Sequence, residues 1–179
     1  MKATTINAVL TMKTITIPAV FTVSLLLAGC GKKAGPPGST ASAAAPIAQP
    51  SMKAWQQGDK CAAISTFVET DWSSGPLFAA NSTLSLSEDQ FKALSNADRQ
   101  AQSGEMMSQL DSLKRLAAAV AQAGRDAASK GDTAQARKYL TALRQCGTAL
   151  DNADRLRMVQ LVGQALKRMA DAELAKVGQ

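Results

Sequence analysis

This chain has few of the residues that usually carry catalysis. Histidine is absent, which removes the usual general base near neutral pH and every nucleophile system that depends on imidazole. Two close carboxylate pairs occur, Glu69 with Asp71 and Asp151 with Asp154, and such pairs can act in glycoside hydrolysis. One pair falls at a predicted helix end and the other at a predicted cap, so structural roles explain both. We predict no catalytic residue, with a carboxylate-based enzyme as an alternative.

The three cysteines are Cys30, Cys61 and Cys146. In a chain without histidine they are too few for a zinc–cysteine site, and no glycine-rich phosphate loop is present. The sequence therefore predicts no metal and no cofactor. The cysteines are better explained by covalent roles, which depend on where the protein is sent.

The first 29 residues are typical of a secretory signal. They contain no acidic residue, and an apolar stretch over 15–28 follows Lys2 and Lys13. That stretch is shorter than the roughly 20 residues of a spanning helix. Met12 would also begin a compact signal, so the start of translation stays open between Met1 and Met12.

The segment Leu27-Ala28-Gly29-Cys30 resembles the lipobox of bacterial lipoproteins. The resemblance implies cleavage before Cys30 and attachment of lipid to its sulfur and amine, which anchors the mature chain stably in a membrane. Gly31, rather than Asp, follows the cysteine. By analogy with enterobacterial lipoproteins, this implies the outer membrane, with the domain facing the periplasm.

The mature chain is predicted to have a linker and one domain. Residues 30–50 are rich in Gly, Pro, Ala and Ser, which is typical of a flexible, disordered tether. Residues 51–179 are enough for one domain with a real core. Their apolar residues follow the helical period, so we predict an all-α fold: a compact bundle of antiparallel helical hairpins.

Capping and turn residues indicate where the predicted helices begin and end. Short helices are expected around 52–57 and 60–70, and Ser87 with Gln90 forms a capping box for another. An apolar stripe predicts a long helix over about 105–130, in which Gly124 permits close packing. In the next helix Gly147 is expected to be the C-terminal cap, and Asp151 or Asn152 should cap the last one.

Two segments, 58–67 and 131–140, resemble the second half of a tetratricopeptide-like helical hairpin. Each has a Gly-Asp turn, then a small residue (Ala63, Ala136), then a large apolar residue (Phe67, Leu140). The copies lie 73 residues apart, which is not the period of a true array. The resemblance implies packed antiparallel hairpins, and a generic Gly-Asp turn explains the pattern equally well.

A disulfide between Cys61 and Cys146 is a further hypothesis. Once Cys30 is lipidated, these two form an even pair in an oxidising compartment. Cys61 lies near the start of one predicted helix and Cys146 near the end of another, so antiparallel neighbours would bring them together. The alternative is two separate thiols, because parallel helices would hold the sulfurs beyond bonding reach.

Charge gives no support for nucleic-acid binding. The net charge of +6 is mild, and basic residues alternate with acidic ones along predicted helix faces. A basic stripe with stacking aromatics is missing, and export would separate the protein from cytoplasmic nucleic acid. We predict a membrane and another envelope protein as partners.

Most of the aromatic residues cluster around the Gly75-Pro76 loop. Two interpretations are open: a small aromatic core that holds the loop against the helices, or an exposed groove in which Trp72 and Phe78 bind a partner. The cluster comprises Trp55, Phe67, Trp72, Phe78 and Phe91.

Together these features predict a non-catalytic, lipid-anchored envelope protein that acts as an interaction or assembly scaffold. The plan of anchor, linker and helical hairpins resembles that of pilotins and assembly-machine lipoproteins. The alternatives are the carboxylate-based enzyme on cell-wall or glycan substrates and a lipoprotein that binds a small ligand or lipid.

Overall fold

The computed structural model describes residues 45–177, which form α-helices joined by short turns and one longer loop. No strand occurs among these residues, so the predicted all-α class is confirmed. The predicted signal, Cys30 and the linker up to residue 44 lie outside the described residues. The helices are α1 (Gln49–Gln56), α2 (Lys60–Glu69), α3 (Glu88–Ala93), α4 (Asn96–Ser129), α5 (Thr133–Leu150) and α6 (Arg157–Leu174), with a 3-10 turn at Thr83–Ser85.

The helices pack as antiparallel hairpins around the long helix α4, as predicted. α4 packs against α1, α2, α5 and α6, and the α5–α6 pair makes the most extensive contact. A continuous apolar core runs through the bundle, and Phe67, Leu113, Leu116 and Leu143 are among its fully buried side chains. Within the described residues, no helix combines the length and apolar character needed to span a bilayer.

The folded domain begins earlier than the predicted boundary at residue 51. The backbone amides of Ile47 and Ala48 donate to the carbonyl oxygens of Pro76 and Leu77 at 3.0 and 3.1 Å. Ala48 is buried, and α1 already starts at Gln49. These contacts attach the last residues of the predicted linker to the domain.

The two Gly-Asp turns predicted from the sequence have the same construction. Gly58 and Gly131 adopt φ of 82° and 79°, a conformation that glycine adopts without strain. The amides of Gly58 and Asp59 donate to the carbonyl oxygens of Trp55 and Ala54. In the second turn, the amides of Gly131 and Asp132 donate in the same way to the carbonyl oxygens of Ala128 and Ala127. Each aspartate then caps the next helix.

The residues that carry the hairpin resemblance also take equivalent places. Ala63 and Ala136 follow the two turns and are fully buried, and so are Phe67 and Leu140. The small residue lets the helices approach and the large one fills the space beyond. The shared construction explains the local sequence similarity.

The long helix α4 starts nine residues before the predicted stripe. Ser95 caps it by accepting from the Asp98 amide at 3.1 Å, so the apolar stripe belongs to a longer helix of 34 residues. Its length is about 51 Å at 1.5 Å per residue. Gly124 is buried in this helix, and a methyl group there would lie 3.0 Å from Leu140 Cγ, which confirms that it permits close packing.

The contact between α5 and α6 includes a close backbone approach at two glycines. A methyl group at Gly147 would lie 2.8 Å from the carbonyl oxygen of Gly163, and one at Gly163 would lie 2.6 Å from that of Gly147. The prediction of Gly147 as a C-terminal cap is therefore wrong. α5 continues past it to Leu150, because this glycine is needed for close backbone approach inside the helix.

The start of α6 also differs from the prediction. Asp151 is the C-cap of α5, and α6 begins at Arg157 after Leu156, which makes no side-chain cap. A distant carboxylate supplies the missing acceptor: the Arg157 amide donates to Glu88 Oε1 at 2.7 Å. The first turn of α3 thereby caps α6 across 69 residues of chain.

The predicted disulfide is not formed: Cys61 and Cys146 are both free, the first exposed and the second buried. The reason is helix direction. Cys61 lies near residues 135–139 of α5, whereas Asp71 and Trp72, just after α2, lie near residues 141–149. α2 therefore runs parallel to α5, and Cys146 lies seven residues, about 10 Å, beyond Tyr139. That separation exceeds disulfide reach.

Candidate binding site

The loop between α2 and α3 is held to the bundle by Trp72. This side chain is only 4 % exposed, and its Nε1 donates to the Phe67 carbonyl oxygen at 3.2 Å. Its ring packs on Phe67 with the centroids 4.6 Å apart. Trp72 thus belongs to the aromatic core of the first interpretation and offers little surface to a partner.

Beyond Trp72, polar contacts fix the path of the loop. The Ala79 carbonyl oxygen accepts from the Ser82 amide at 2.8 Å and from Ser85 Oγ at 2.7 Å. Ser82 Oγ donates to Gln109 Oε1 of α4 at 3.1 Å. Together with the pairing of Ile47 and Ala48, these contacts set the loop backbone and leave residues 78–80 at the surface.

An open cleft of about 590 Å³ lies between this loop and the connection from α5 to α6. We call it the Phe78 cleft, after the half-buried ring in its wall. Most of the lining is apolar, and the charged residues are Asp154 and Arg155. The lining residues are Ala45, Pro46, Pro76, Leu77, Phe78, Ala79, Ala80, Ser85, Leu86, Gln90, Asn152, Asp154 and Arg155.

Arg155 is the unusual residue in this wall. Its guanidinium carbon lies 5.7 Å from the centroid of the Phe78 ring, within the range of a cation–π contact. Nη1 donates to the Leu84 carbonyl oxygen at 3.4 Å, whereas Nε is buried without a hydrogen-bond partner. Burial lowers the pKa of the guanidinium below its usual value, but arginine stays charged at neutral pH.

A second depression, of about 450 Å³, lies on the other side of the same loop segment. Leu77, Phe78 and Ala79 line both depressions, and the second is completed by α1 and by Gln109 of α4. Residues 77–79 therefore form a ridge between the mainly apolar Phe78 cleft and a recess of mixed polarity. This shape suits an elongated partner better than a compact solute.

Of the carboxylates considered for catalysis, Asp71 and Asp151 have structural partners. Asp71 accepts from Ser73 Oγ at 2.6 Å and from the Ser73 amide at 3.0 Å, and these bonds lower its pKa. Asp151 accepts from Gln164 and Lys167, which lower its pKa in the same way. Asp154 is the acidic residue that lines the Phe78 cleft. Within residues 45–177, no group of three or more potential metal-binding side chains comes together.

The predicted site residues therefore fall in different places. Cys30 lies outside the described residues, and Trp72 and Phe78 have separated into core and surface. Sequence analysis missed Arg155, because it considered the basic residues only as part of the general charge pattern. No local pattern marks this residue, because its partners Leu84 and Phe78 lie more than 70 residues earlier in the chain.

Comparisons with protein-family models, curated proteins and solved structures found no match. The functional argument is consequently built from the residues of this chain.

Proposed function

We propose that this protein is a non-catalytic, lipid-anchored scaffold of the bacterial cell envelope that binds another envelope protein at the Phe78 cleft. The observation that carries the proposal is the ridge of residues 77–79, which presents a half-buried aromatic ring at the mainly apolar Phe78 cleft. Aromatic side chains in such settings are frequent anchors of protein interfaces.

The organisation of the bundle supports an interaction surface rather than a reaction centre. Core helices pack solidly around α4, and the recesses are surface clefts rather than interior cavities. Among the described residues, the Phe78 cleft brings one carboxylate, Asp154, to its wall, whereas glycosidase chemistry uses a pair. The alternatives are a carboxylate-based enzyme and a small-ligand binder. The experiment below distinguishes both of them from a scaffold.

The experiment is site-specific photocrosslinking in living bacteria. A benzoylphenylalanine replaces Phe78 in the full-length chain, and a second chain carries it at Arg115, which is exposed on α4. We expect one discrete protein adduct from position 78 and none from position 115. The adduct should disappear in an Ala80→Arg background, because Ala80 is an exposed residue of the cleft wall and a long cationic side chain there obstructs access.

Equal adducts from both positions, or an adduct that survives Ala80→Arg, would contradict a scaffold that uses this cleft. An adduct with lipid or glycan in place of protein would favour the alternatives. The anchor has its own experiment: Cys30→Ala should abolish incorporation of labelled lipid and partitioning into a detergent phase. Retention of that variant in membranes at high salt would contradict lipid anchoring through Cys30.

A further inference from the structure

The arginines of the domain differ in their burial and in whether they form ion pairs. Arg115, Arg125 and Arg144 each form an ion pair with a carboxylate, and others, such as Arg157 and Arg168, are exposed to solvent. Arg155 is more buried than these, yet no carboxylate of the described residues lies within ion-pair distance of it. A partly desolvated cation without a counter-ion is costly, so its retention at a cleft calls for an explanation.

The hydrogen-bonding capacity of Arg155 points in the same direction. A guanidinium has five N–H donors, and the structure pairs one of them, to Leu84 at the long distance of 3.4 Å. Its carbon lies over the Phe78 ring, which limits how the group can turn. The group is thus oriented by the protein, while most of its donors have no acceptor within the described residues.

From this arrangement we propose that the Phe78 cleft binds a peptide segment that carries a carboxylate next to an apolar side chain. Arg155 pairs with the carboxylate, and the apolar recess beside Phe78 takes the neighbouring side chain. Charge complementarity selects the carboxylate, because arginine binds it with directional, charge-assisted hydrogen bonds. The peptide character of the ligand rests on the proposed scaffold function.

Asp154 gives the proposal a distinctive electrostatic feature. It lies in the same wall as Arg155 but does not form an ion pair with it. Its negative charge opposes the binding of any anion in the cleft. Removal of this charge should strengthen binding of a carboxylate and leave binding of a neutral analogue unchanged.

The test uses the full-length lipidated protein in detergent micelles and two probes that differ in one group. N-acetyl-leucine has a free carboxylate beside an apolar side chain, and N-acetyl-leucinamide is its neutral analogue, which also controls for partitioning into micelles. With ¹⁵N-arginine labelling, we expect the acid to shift the Arg155 Nε–Hε resonance saturably, and the amide to leave it in place. Failure of the unaltered protein to distinguish acid from amide would overturn the proposal without any variant.

Three variants sharpen the test through ligand-observed titrations. Arg155→Gln should weaken binding of the acid about tenfold, the size of effect expected for a lost hydrogen bond to a charged group. Arg157→Gln is the matched control, since Arg157 is exposed and its side chain donates to Gln160; it should keep the affinity. Asp154→Asn should raise the ratio of acid to amide affinity, and an unchanged ratio would contradict the proposal even if Arg155→Gln does not fold.

The outcomes separate this proposal from the scaffold function on which it rests. A persistent adduct at Phe78 combined with equal binding of acid and amide would overturn carboxylate recognition and leave the scaffold standing. Selective binding of the acid without any protein adduct would support the anion site and contradict its use for a protein partner.

Discussion

Glycine lies at the helix contact in both the α5–α6 and the α4–α5 hairpin. The two contacts differ in whether the glycine faces backbone or a side chain of the neighbouring helix. Gly163 of α6 faces backbone atoms of α5 and its C-cap, at 2.6 and 2.7 Å from the position of a methyl group. Gly124 of α4 instead faces the side chain of Leu140, at 3.0 Å. Backbone cannot move aside without shifting a whole helix, whereas a leucine side chain can. The same residue type therefore marks a rigid contact in one hairpin and an adjustable one in the other.

The largest loss in the free energy of unfolding is expected for Gly163→Ala. The added methyl group must displace the backbone at Gly147 and Asp151, and overpacking of this kind costs about 3 kcal/mol. Urea unfolding, followed by circular dichroism in the Cys30→Ala chain, measures the loss. Gly104→Ala is the control, since its methyl group meets no atom within 4 Å; it should gain up to about 1 kcal/mol from helix propensity. Equal stabilities of the two variants would show that the helices are not in close contact at Gly163.

Gly124→Ala should have a smaller effect. Leu140 can yield by a few tenths of an ångström, and alanine recovers about 1 kcal/mol of helix propensity. We therefore expect a net loss of at most about 1 kcal/mol in the free energy of unfolding. A loss as large as that of Gly163→Ala would mean that the α4–α5 contact is as rigid as the α5–α6 contact.

Thiol reactivity provides a local measure of the difference between the α5–α6 and α4–α5 contacts. In the Cys30→Ala chain, exposed Cys61 should react rapidly with Ellman's reagent, whereas Cys146 should react only through opening of the bundle, because burial excludes the reagent and raises the pKa of its thiol. Cys146 precedes Gly147 in α5, so Gly163→Ala should accelerate its reaction more than Gly124→Ala does. Rapid reaction of both thiols in the unaltered domain would contradict the buried position of Cys146.

The smallest change in the free energy of unfolding is expected for substitution of Asp151, whose carboxylate joins α5 to α6. Hydrogen bonds from Gln164 and Lys167 lower the pKa of Asp151 in the folded state, so the native state favours the ionised form. Its contribution to stability is therefore complete above the unfolded pKa of about 4 and is lost as the pH falls through the folded pKa. Asp151→Asn should be less stable than the unaltered chain at pH 7, and this difference should vanish at low pH. Asp111→Asn, in an exposed pair on one helix, serves as the charge control.

The features predicted correctly from the sequence are those whose contacts lie within a few residues. Asp59 and Asp132 cap their helices by accepting from amides three residues ahead, and Ser87 forms its capping box with Gln90. The residues and their spacing suffice for such contacts. Helix class and turn positions were predictable for that reason.

The errors concern contacts that depend on how helices are arranged. Gly147 has the residue type of a C-cap, and only the approach of Gly163 shows why it lies inside a helix. The cap of α6 comes from Glu88, 69 residues away, and the disulfide hypothesis required a helix direction that local patterns do not specify. Arg155 escaped notice for the same reason, since its surroundings come from another part of the chain.

The order of folding follows from how the Phe78 cleft is assembled. Its walls come from four segments, near residues 46, 76–80, 85–90 and 152–155, whereas the α4–α5 and α5–α6 hairpins close over short turns. Because closure entropy grows with the length of the chain between contacts, we infer that the hairpins form early and that the cleft forms with the last docking step. A chain that has not completed this docking step would therefore lack the cleft, and any ligand of the cleft would bind only molecules whose folding is complete.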